Sequence, residues 1–538
     1  MREPVSTATL AREESSTELV ARAHIAARVM TRNWVLVLLS ALLLVASFPD
    51  FNLWPLAWVG LVPLLVAIAR NPAPRRAFLF GWLMGAVFFY ASCYWLTYSM
   101  IHYGGLSEWL AYALLVPGAL LVGAFPAAFA FALARLVRRW GTRALFAAPL
   151  LWVTFEWARL AVTGQLWNAL GYSQAFHPWV IQSARWGGVY TVGFLVVSVN
   201  AAIAFALLNQ TAKTLTLATL VVASVAIVIL VSAATAPAIQ IPDQPVVTVV
   251  ALQPNVPMNP VESPKEVQQL IDRHVRMSEG ALGELKRNDV PRIVIWPESP
   301  MNFRYAQDSE FRDLVGRFAR DNHTAVIFNS QEPAPNNGFY NSALMVNEEG
   351  RLVAQYDKIR LMPFGEYVPL PHWLPGASAV RAIVGDFTPG TKYTLMPVGG
   401  EHAGVFICIE SAYPWIARSL TAEGSEVLIN ISNDGYLGPT AVMRQHLGNV
   451  VFRAVENGRP LLRVTNTGIS AYIAPNGAVK DATQSFQPAV RTWTVTRTTN
   501  ERTFYTRRGD LFVGACAVLS LLMVALSFMA VDKVKPVR

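Results

Sequence analysis

The sequence predicts a protein of two parts, an α-helical membrane bundle of eight spans and a layered α/β domain outside the membrane. Of its 538 residues, 53% are hydrophobic, and the mean hydropathy is +0.35, which is more apolar than a typical soluble protein. Long apolar segments fill the first 236 residues and return once near the end. Between them, strand patterns alternate with amphipathic helical patterns, as in layered α/β domains.

Eight apolar segments are candidate membrane spans. A helix needs about 20 apolar residues to cross the hydrocarbon core. Most segments reach that length, and the first two are short enough to be thin spans. They are 34–48, 55–69, 77–100, 107–134, 144–163, 189–208, 214–235 and 511–531.

Basic residues in the short loops set the orientation. Loops with Arg or Lys alternate with loops such as "FPDFNLW" and "YSMIHYGGLSEW", which have neither. Both termini are therefore expected in the cytoplasm, and the formal charge of +9 reflects topology rather than nucleic-acid binding. The predicted divisions are a tail (1–33), a seven-span domain (34–236), an outer catalytic domain (237–509), an eighth helix (510–532) and a second tail (533–538).

Two features of the membrane half have structural and functional alternatives. Glu156 and Arg159 lie three residues apart near the outer end of a span, and we favour pairing on one helix face over a functional role. The outer loop 163–188 contains Trp167, Arg185 and Trp186, and we interpret its tryptophans as an aromatic belt at the membrane surface.

Three polar residues follow strand patterns of the outer domain. Glu298 ends "RIVIWPES", Lys358 follows the hairpin strand in "LVAQYDKIR", and Cys408 lies near the end of "GVFICIES". Because functional residues of open α/β sheets gather at strand ends, we expect the three to lie together.

Each of the three has an ordinary alternative when taken alone. A cysteine in an apolar run is usually a small buried hydrophobe, the glutamate could begin a helix, and the lysine could be a solvated hairpin residue. Together they form an acyl-transfer site, since a thiol with a pKa near 8.5 is mostly protonated at neutral pH. A carboxylate can accept its proton, and an ammonium can stabilise the thiolate and a later oxyanion.

The motifs "WPES", "YDKIRLMPFGEYVP", "GVFICIES" and "ISNDGYLG" resemble the successive signatures of the nitrilase superfamily, whose members carry a Glu–Lys–Cys triad on an αββα sandwich. The eight spans around such a sandwich resemble one branch, the apolipoprotein N-acyltransferases. "NGRPLLRVTNTG" is also typical of that branch. The resemblance covers nearly the whole chain after the first tail.

The resemblance implies a role for each matching residue. Glu298 is the general base, Lys358 stabilises the tetrahedral intermediate, and Cys408 is the nucleophile. Glu366 positions the lysine and the substrate amine, with a loop-anchoring carboxylate as the alternative. Glu410 matches a further glutamate near the site, without a defined role.

Other expected site residues surround these. The backbone N–H of Ile409, directly after the nucleophile, is a candidate oxyanion donor. Ile409, Tyr436 and Leu437 depart from the commonest family residues, which leaves acyl-chain and headgroup preference open. The apolar, Pro- and Gly-rich segment 361–387 is interpreted as an interfacial lid anchored by Trp373 and Leu374, with a loop packed on the domain as the alternative. Tyr436 is assigned to substrate binding.

The implied reaction is transfer of a fatty acyl chain from a membrane phospholipid to the N-terminal amine of a diacylated apolipoprotein, at the outer face of the bacterial inner membrane. It needs no metal or cofactor, and we expect a monomer. Two alternatives differ in class: a membrane-tethered amidase or nitrilase that uses water as acceptor, and a non-catalytic scaffold that kept the sandwich.

Overall fold

The computed structural model describes residues 31–236, 240–258, 263–285, 290–335, 338–363, 365–368, 387–499 and 501–529. Its first part is helical. The helices are α1 (Thr31–Ser47), α2 (Trp54–Arg70, with a 3₁₀ start), α3 (Pro74–Ser92), α4 (Leu96–His102), α5 (Glu108–Trp140), α6 (Ala148–Thr163), α7 (Ala184–Gly187), α8 (Val189–Asn209) and α9 (Ala212–Ala234).

The second part alternates strands and helices and ends in one more apolar helix. Its elements are β1 (Gln240–Gln253), α10 (Pro264–Glu284), β2 (Arg292–Ile295), α11 (Ser309–Asp321), β3 (Ala325–Pro333), β4 (Phe339–Val346), β5 (Leu352–Asp357), β6 (Leu395–Val398), β7 (Glu401–Ile407), α12 (Pro414–Glu423), β8 (Val427–Ser432), α13 (Val442–Asn457), β9 (Leu461–Thr465), β10 (Ala471–Ile473), β11 (Val479–Lys480), β12 (Ala489–Thr498), α14 (Phe504–Arg508) and α15 (Leu511–Met529).

Helix occurs at each of the eight predicted spans, but fewer pass a strict test of length and apolarity. Within the described residues, four helical stretches qualify, or five if the bent pair α3–α4 is one span. The stretch Glu108–Thr163 covers two predicted spans, and α5 ends within it at Gly141, which adopts a positive φ of 67°. Helices α1 and α2 are apolar but shorter than the 18 residues that this test requires, as expected of thin spans.

The strands form two six-stranded sheets in the described chain. Sheet 1 has the order β12-β1-β2-β3-β4-β5, and sheet 2 has the order β11-β10-β9-β8-β7-β6. Strands β1, β2 and β3 are parallel, as are β7, β8 and β9. The hairpins β4–β5 and β10–β11 are antiparallel, which confirms both predicted hairpins.

The sheets stack face to face, with helices outside them. Ile295 of sheet 1 and Ile407 and Ile429 of sheet 2 share one buried core. A second core lies between sheet 1 and helices α10 and α11, around Trp296 and Phe318. This is the αββα order that the sequence predicted.

Sheet 2 and its helices α12 and α13 pack on the membrane half in a third, continuous core. Every residue of α13 except Arg444 is buried, because one face of the helix meets the sheet and the other meets the membrane helices. Gln445 on α13 links the halves directly. Its Oε1 accepts hydrogen bonds from the indoles of Trp95 (3.0 Å) and Trp167 (2.9 Å), and its amide donates to the carbonyls of Pro49 and Ser92.

Two interpretations of the membrane half are wrong in part. Trp167 and Arg185 are buried, not in a surface belt, whereas Trp179 and Trp186 are exposed. Glu156 and Arg159 interact electrostatically, but no direct hydrogen bond or ion pair between these two side chains is recorded. Instead, Glu156 accepts from the Leu170 N–H (2.7 Å) and Arg159 donates to the Trp167 carbonyl (2.8 Å), which ties α6 to the folded loop that follows it.

Candidate active site

Two of the predicted triad residues come from sheet 1. Glu298 lies three residues after β2, and Lys358 directly follows β5. Both strands run in the same direction, since β2 is parallel to β3 and two antiparallel steps lead from β3 to β5. Their carboxyl ends therefore meet at one edge, and Lys358 Nζ lies 3.5 Å from Glu298 Oε1.

Glu366 and Asn341 complete this group, which we call the front cluster (Glu298, Lys358, Glu366 and Asn341). Lys358 Nζ donates to Glu366 Oε1 at 2.9 Å. The Asn341 amide donates to Glu366 Oε1 (2.6 Å) and to Glu298 Oε1 (3.0 Å). Glu366 Oε2 also accepts from the Met362 N–H at 2.7 Å, so this carboxylate both fixes the lysine and anchors its loop.

Burial and charge act in opposite directions on the lysine. Lys358 is 1% exposed, and burial alone lowers its pKa. The carboxylates of Glu298 and Glu366 outweigh burial and raise the pKa of Lys358 above its ordinary value. Lys358 is therefore held as a permanent cation.

Cys408 comes from sheet 2, where it follows β7 and begins a 3₁₀ turn over Cys408–Ala412. Its φ is +51°, a left-handed conformation that costs a non-glycine residue about 1–2 kcal/mol. Strain of this kind is concentrated at functional sites. Burial raises the pKa of the Cys408 thiol, Glu298 raises it further, and Lys358 lowers it. The net pKa is raised, so the resting group is the neutral thiol.

Ile409, the candidate oxyanion donor, occupies the second position of this turn. The first N–H groups of a helical turn have no acceptor inside the turn. The Ile409 N–H therefore remains the candidate oxyanion donor beside Cys408.

Glu410 has a role that the sequence left open. It is fully buried and accepts hydrogen bonds from the Ile359 N–H (2.7 Å), the Ile407 N–H (2.7 Å) and the Tyr356 hydroxyl (2.9 Å). Ile359 follows Lys358, and Ile407 precedes Cys408. Glu410 therefore joins the two sheets and fixes the lysine relative to the nucleophile.

A second group of buried polar residues lies behind Cys408. We call it the back cluster (Asp434, His446, Arg463 and Asn430). Arg463 donates to Asp434 Oδ2 (2.6 Å) and to Asn430 Oδ1 (2.5 Å). His446 Nδ1 lies 2.8 Å from Asp434 Oδ1, and its Nε2 lies 3.0 Å from the Cys408 carbonyl oxygen. The cluster thus holds the backbone of the nucleophile.

The protonation of His446 is a balance between burial and its partners. Both of its contacts are acceptors, so a ring that donates to both carries two protons. Burial and Arg463 lower the pKa of His446, whereas Asp434 and the Cys408 carbonyl oppose them, and the net pKa is lowered.

Tyr436 lies at the edge of the site beside the membrane half. Burial raises its pKa, and the neighbouring Glu298 raises it further. Its carbonyl accepts from the Ser99 hydroxyl at 2.7 Å, and its ring contacts Tyr103 edge-on, with centroids 5.3 Å apart. The expected lid anchors Trp373 and Leu374 lie outside the described residues.

The structure thus brings together Glu298, Lys358, Cys408, Glu366 and Glu410, while their catalytic roles stay predictions. Sequence reasoning missed Asn341, His446 and Arg463. A signal existed for Arg463, a charged residue within the apolar strand pattern "PLLRV", because buried polar groups are generally hydrogen-bonded. Asn341 and His446 have polar neighbours in the sequence and gave no such signal.

Comparisons with known proteins identify the family of the chain. Residues 40–202 match the family model for the apolipoprotein N-acyltransferase N-terminal domain, and residues 247–503 match the carbon-nitrogen hydrolase model. An amidase of the nitrilase superfamily from Nesterenkonia aligns at 17% identity over 52% of this chain and 100% of its own, with a TM-score of 0.38. The assignment depends on the family models and the curated relatives instead.

Two curated relatives cover most of the chain. The apolipoprotein N-acyltransferase of Geobacter metallireducens is 32% identical over 92% of this chain and 95% of its own length. That of Pseudomonas putida is 32% identical over 82% and 87%, respectively. This chain belongs to the apolipoprotein N-acyltransferase family.

Proposed function

We propose that this protein transfers a fatty acyl chain from a membrane phospholipid, through a thioester on Cys408, to the N-terminal amine of the diacylglyceryl-cysteine of a lipoprotein. The observation that carries this proposal is the front cluster. It places a carboxylate and a permanent cation beside a strained, half-buried thiol, on a domain that packs against apolar helices.

The first half-reaction begins with the neutral thiol. Glu298 accepts the proton of Cys408 as Sγ attacks the ester carbonyl carbon of the phospholipid. Lys358 and the Ile409 N–H stabilise the oxyanion of the tetrahedral intermediate. Its collapse breaks the ester C–O bond, and the protonated Glu298 returns the proton to the departing lysophospholipid oxygen. A thioester on Cys408 remains.

The second half-reaction forms an amide. The neutral N-terminal amine of the lipoprotein attacks the thioester carbonyl, and Glu298 accepts a proton from the attacking nitrogen. The same oxyanion donors stabilise the second intermediate. Its collapse breaks the C–S bond, and Cys408 is reprotonated. Glu366 keeps Lys358 in place through both steps, since their atoms lie 2.9 Å apart.

Eight spans with both termini in the cytoplasm are part of the proposal, together with the domain boundaries predicted above. The loops without basic residues support it, because they contact the catalytic domain. Pro49 and Ser99 come from the two loops without Arg or Lys, Trp167 comes from the outer loop 163–188, and each bonds to a residue of that domain. Exposed leucines on α9 and α15, such as Leu220 and Leu521, suit contact with lipid. We therefore assign the catalytic domain to the outer face of the inner membrane, and the proposal treats the chain as a monomer.

A lid over the active site is a further part of the proposal. Segment 361–387 begins at the front cluster, where Met362 bonds to Glu366, and we assign it to the membrane interface with Trp373 and Leu374 as anchors. Trp373→Asp places a charge at that anchor and is expected to reduce acyl transfer in vesicles. Full activity of this variant in membranes would contradict the lid.

The amine acceptor separates acyl transfer from the alternative of a hydrolase. The full-length protein is incubated with phospholipid and a diacylated lipopeptide, and products are identified by mass spectrometry. Acyl transfer yields a triacylated lipopeptide and lysophospholipid in equal amounts, and Cys408→Ala yields neither. Free fatty acid in place of the triacylated lipopeptide would establish water as the acceptor and contradict the proposal.

A further inference from the structure

A cavity of about 260 Å³ with several arginines in its lining lies between the outer end of α9 and the start of the last membrane helix. It differs from the triad site in every lining residue. Its walls come from the loop before α8, the end of α9 and the segment around α14, and they include Gln182, Arg185, Trp186, Thr235, Arg502 and Arg507.

The buried arginine is the feature that indicates a ligand. Arg185 is 7% exposed, and neither its Nε nor its Nη1 has a hydrogen-bond partner among the described residues. Its one bond is a long contact of 3.5 Å from Nη2 to the Pro475 carbonyl. Burial lowers the pKa of Arg185 to about 10, with no carboxylate recorded as compensating for it. Buried donors without partners are rare and call for an explanation.

The charge around the cavity selects an anion. Arg502 and Arg507 are exposed at its mouth, against a single acidic residue, Glu501. Arginine binds phosphate oxygens through paired N–H donors. The unpaired Oε1 of Gln182 adds an acceptor, which suits a ligand that carries a hydroxyl besides its phosphate.

The position of the cavity indicates where that phosphate comes from. Ser232 and Thr235 at the end of α9 line it, and α14 leads directly into α15. Trp186 is 55% exposed and its ring lies 6.2 Å from that of Phe504, as expected of aromatic residues at the level of lipid headgroups.

We propose that this cavity is a second lipid site, which binds the phosphate of an anionic glycerophospholipid of the outer leaflet, of the phosphatidylglycerol class. The site stabilises the junction between α9, the loop before α8 and α15. This inference depends on the proposed membrane placement of α9 and α15 but not on acyl transfer.

The test is native mass spectrometry of the full-length protein in detergent, with phosphatidylglycerol and phosphatidylcholine of the same chains. All variants carry Cys408→Ala, so that no lipid is consumed. Arg185→Gln removes the buried donor, and the double variant Arg502→Gln/Arg507→Gln removes the exposed pair without disturbing the interior. Arg508→Gln is the matched control, because Arg508 is exposed beside Arg507 but does not line the cavity.

We expect phosphatidylglycerol to be retained over phosphatidylcholine, and the double variant to lose roughly tenfold or more in retention, since each arginine near a lipid surface contributes about 1 kcal/mol. Arg508→Gln should retain the lipid as its parent does. Equal retention by the double variant and the control would overturn the proposal, even if Arg185→Gln fails to fold.

Thermal unfolding with inorganic phosphate in lipid-free detergent distinguishes the two sources of the anion. If inorganic phosphate stabilises the Cys408→Ala protein but not the double variant, the cavity is a phosphate site that also binds free phosphate. Stabilisation by phosphatidylglycerol alone would assign it to the lipid headgroup. Acyl-adduct formation on Cys408 in the protein with an intact thiol tests the proposed function separately.

Discussion

Two polar clusters meet at Cys408, and they differ in exposure and in charge. The front cluster has two carboxyl groups and one ammonium, and Glu298 within it is 14% exposed. The back cluster has one carboxylate and one guanidinium with an imidazole between them, and all its members are buried. A site that transfers protons needs a carboxylate that the substrate can contact and whose charge is not neutralised. A site that fixes the backbone needs buried hydrogen bonds between groups whose charges cancel. The comparison therefore assigns chemistry to the front and positioning to the back.

The largest effect is expected from Glu298→Gln. The amide cannot accept the thiol proton, so kcat should fall by roughly 10²- to 10⁴-fold, the usual contribution of a general base. The assay is the rate of triacylated lipopeptide formation. Glu349→Gln is the matched control, because Glu349 lies in an exposed turn and contacts only Arg351, at 3.7 Å, among its recorded ion pairs. Near wild-type turnover by Glu298→Gln would remove the front cluster from the chemistry.

Asp434→Asn tests the back cluster through stability. It leaves the buried Arg463 without its carboxylate, which typically costs about 3–5 kcal/mol. Thermal unfolding in detergent at neutral pH measures the loss, and Asp313→Asn, at an exposed position on α11, is the control. A stability equal to that of the control would show that the ion pair between Asp434 and Arg463 does not stabilise the fold.

The same variant has a predicted pH dependence. Burial raises the pKa of Asp434, but Arg463 and His446 outweigh burial and hold the pKa well below its ordinary value. A carboxylate with a depressed pKa contributes stability above its unfolded pKa, near 3.9, and loses that contribution as the pH falls further. The stability difference between the wild-type protein and Asp434→Asn should therefore be constant at neutral pH and shrink below about pH 4.

His446 separates the two contacts of the back cluster. In His446→Gln the amide nitrogen stands in for Nε2 and can still donate to the Cys408 carbonyl. In His446→Asn the shorter side chain stands in for Nδ1 and keeps only Asp434. Because small displacements of a reacting group cost up to about 100-fold, we expect the asparagine variant to lose much more kcat than the glutamine variant, with KM little changed. Equal losses of kcat in the two variants would show that the contact with the Cys408 carbonyl does not control turnover.

The last prediction concerns the protonation of the resting thiol. Burial and Glu298 raise the pKa of Cys408. Its thiolate fraction should therefore still grow tenfold per pH unit near pH 8.5, where the thiolate fraction of an ordinary cysteine approaches its maximum. Alkylation by a small reagent, followed at the Cys408 peptide by mass spectrometry, should rise steadily from pH 6 to pH 9. A plateau near neutral pH would indicate a preformed thiolate and contradict the order of proton transfer proposed above.

Sequence patterns predicted most of the fold because its signals are local. Apolar length marked the helices, and β-branched runs marked the strands that became β1, β3 and β8. Strand β12 was overlooked although Trp493 and Val495 alternate with polar residues, while β6 is a short edge strand containing Pro397, which gives no strand signal.

The sequence predicted only those site residues that lie within its motifs. Glu298, Lys358, Glu366, Cys408 and Glu410 each stand in a recognisable stretch. The back cluster is different, since Asp434 follows the end of β8, His446 lies on α13 and Arg463 lies in the middle of β9. The proximity of these elements depends on the tertiary fold. The buried Arg185 likewise resembled a surface residue until the loop 163–188 was seen to fold under the catalytic domain.

The central claim is a covalent intermediate on Cys408, and intact mass spectrometry after exposure to phospholipid tests it most directly. The wild-type protein should gain the mass of one fatty acyl group, Cys408→Ala should gain none, and addition of a diacylated lipopeptide should remove the adduct. An active wild-type preparation that never carries the acyl group, or a Cys408→Ala variant that does, would contradict the account.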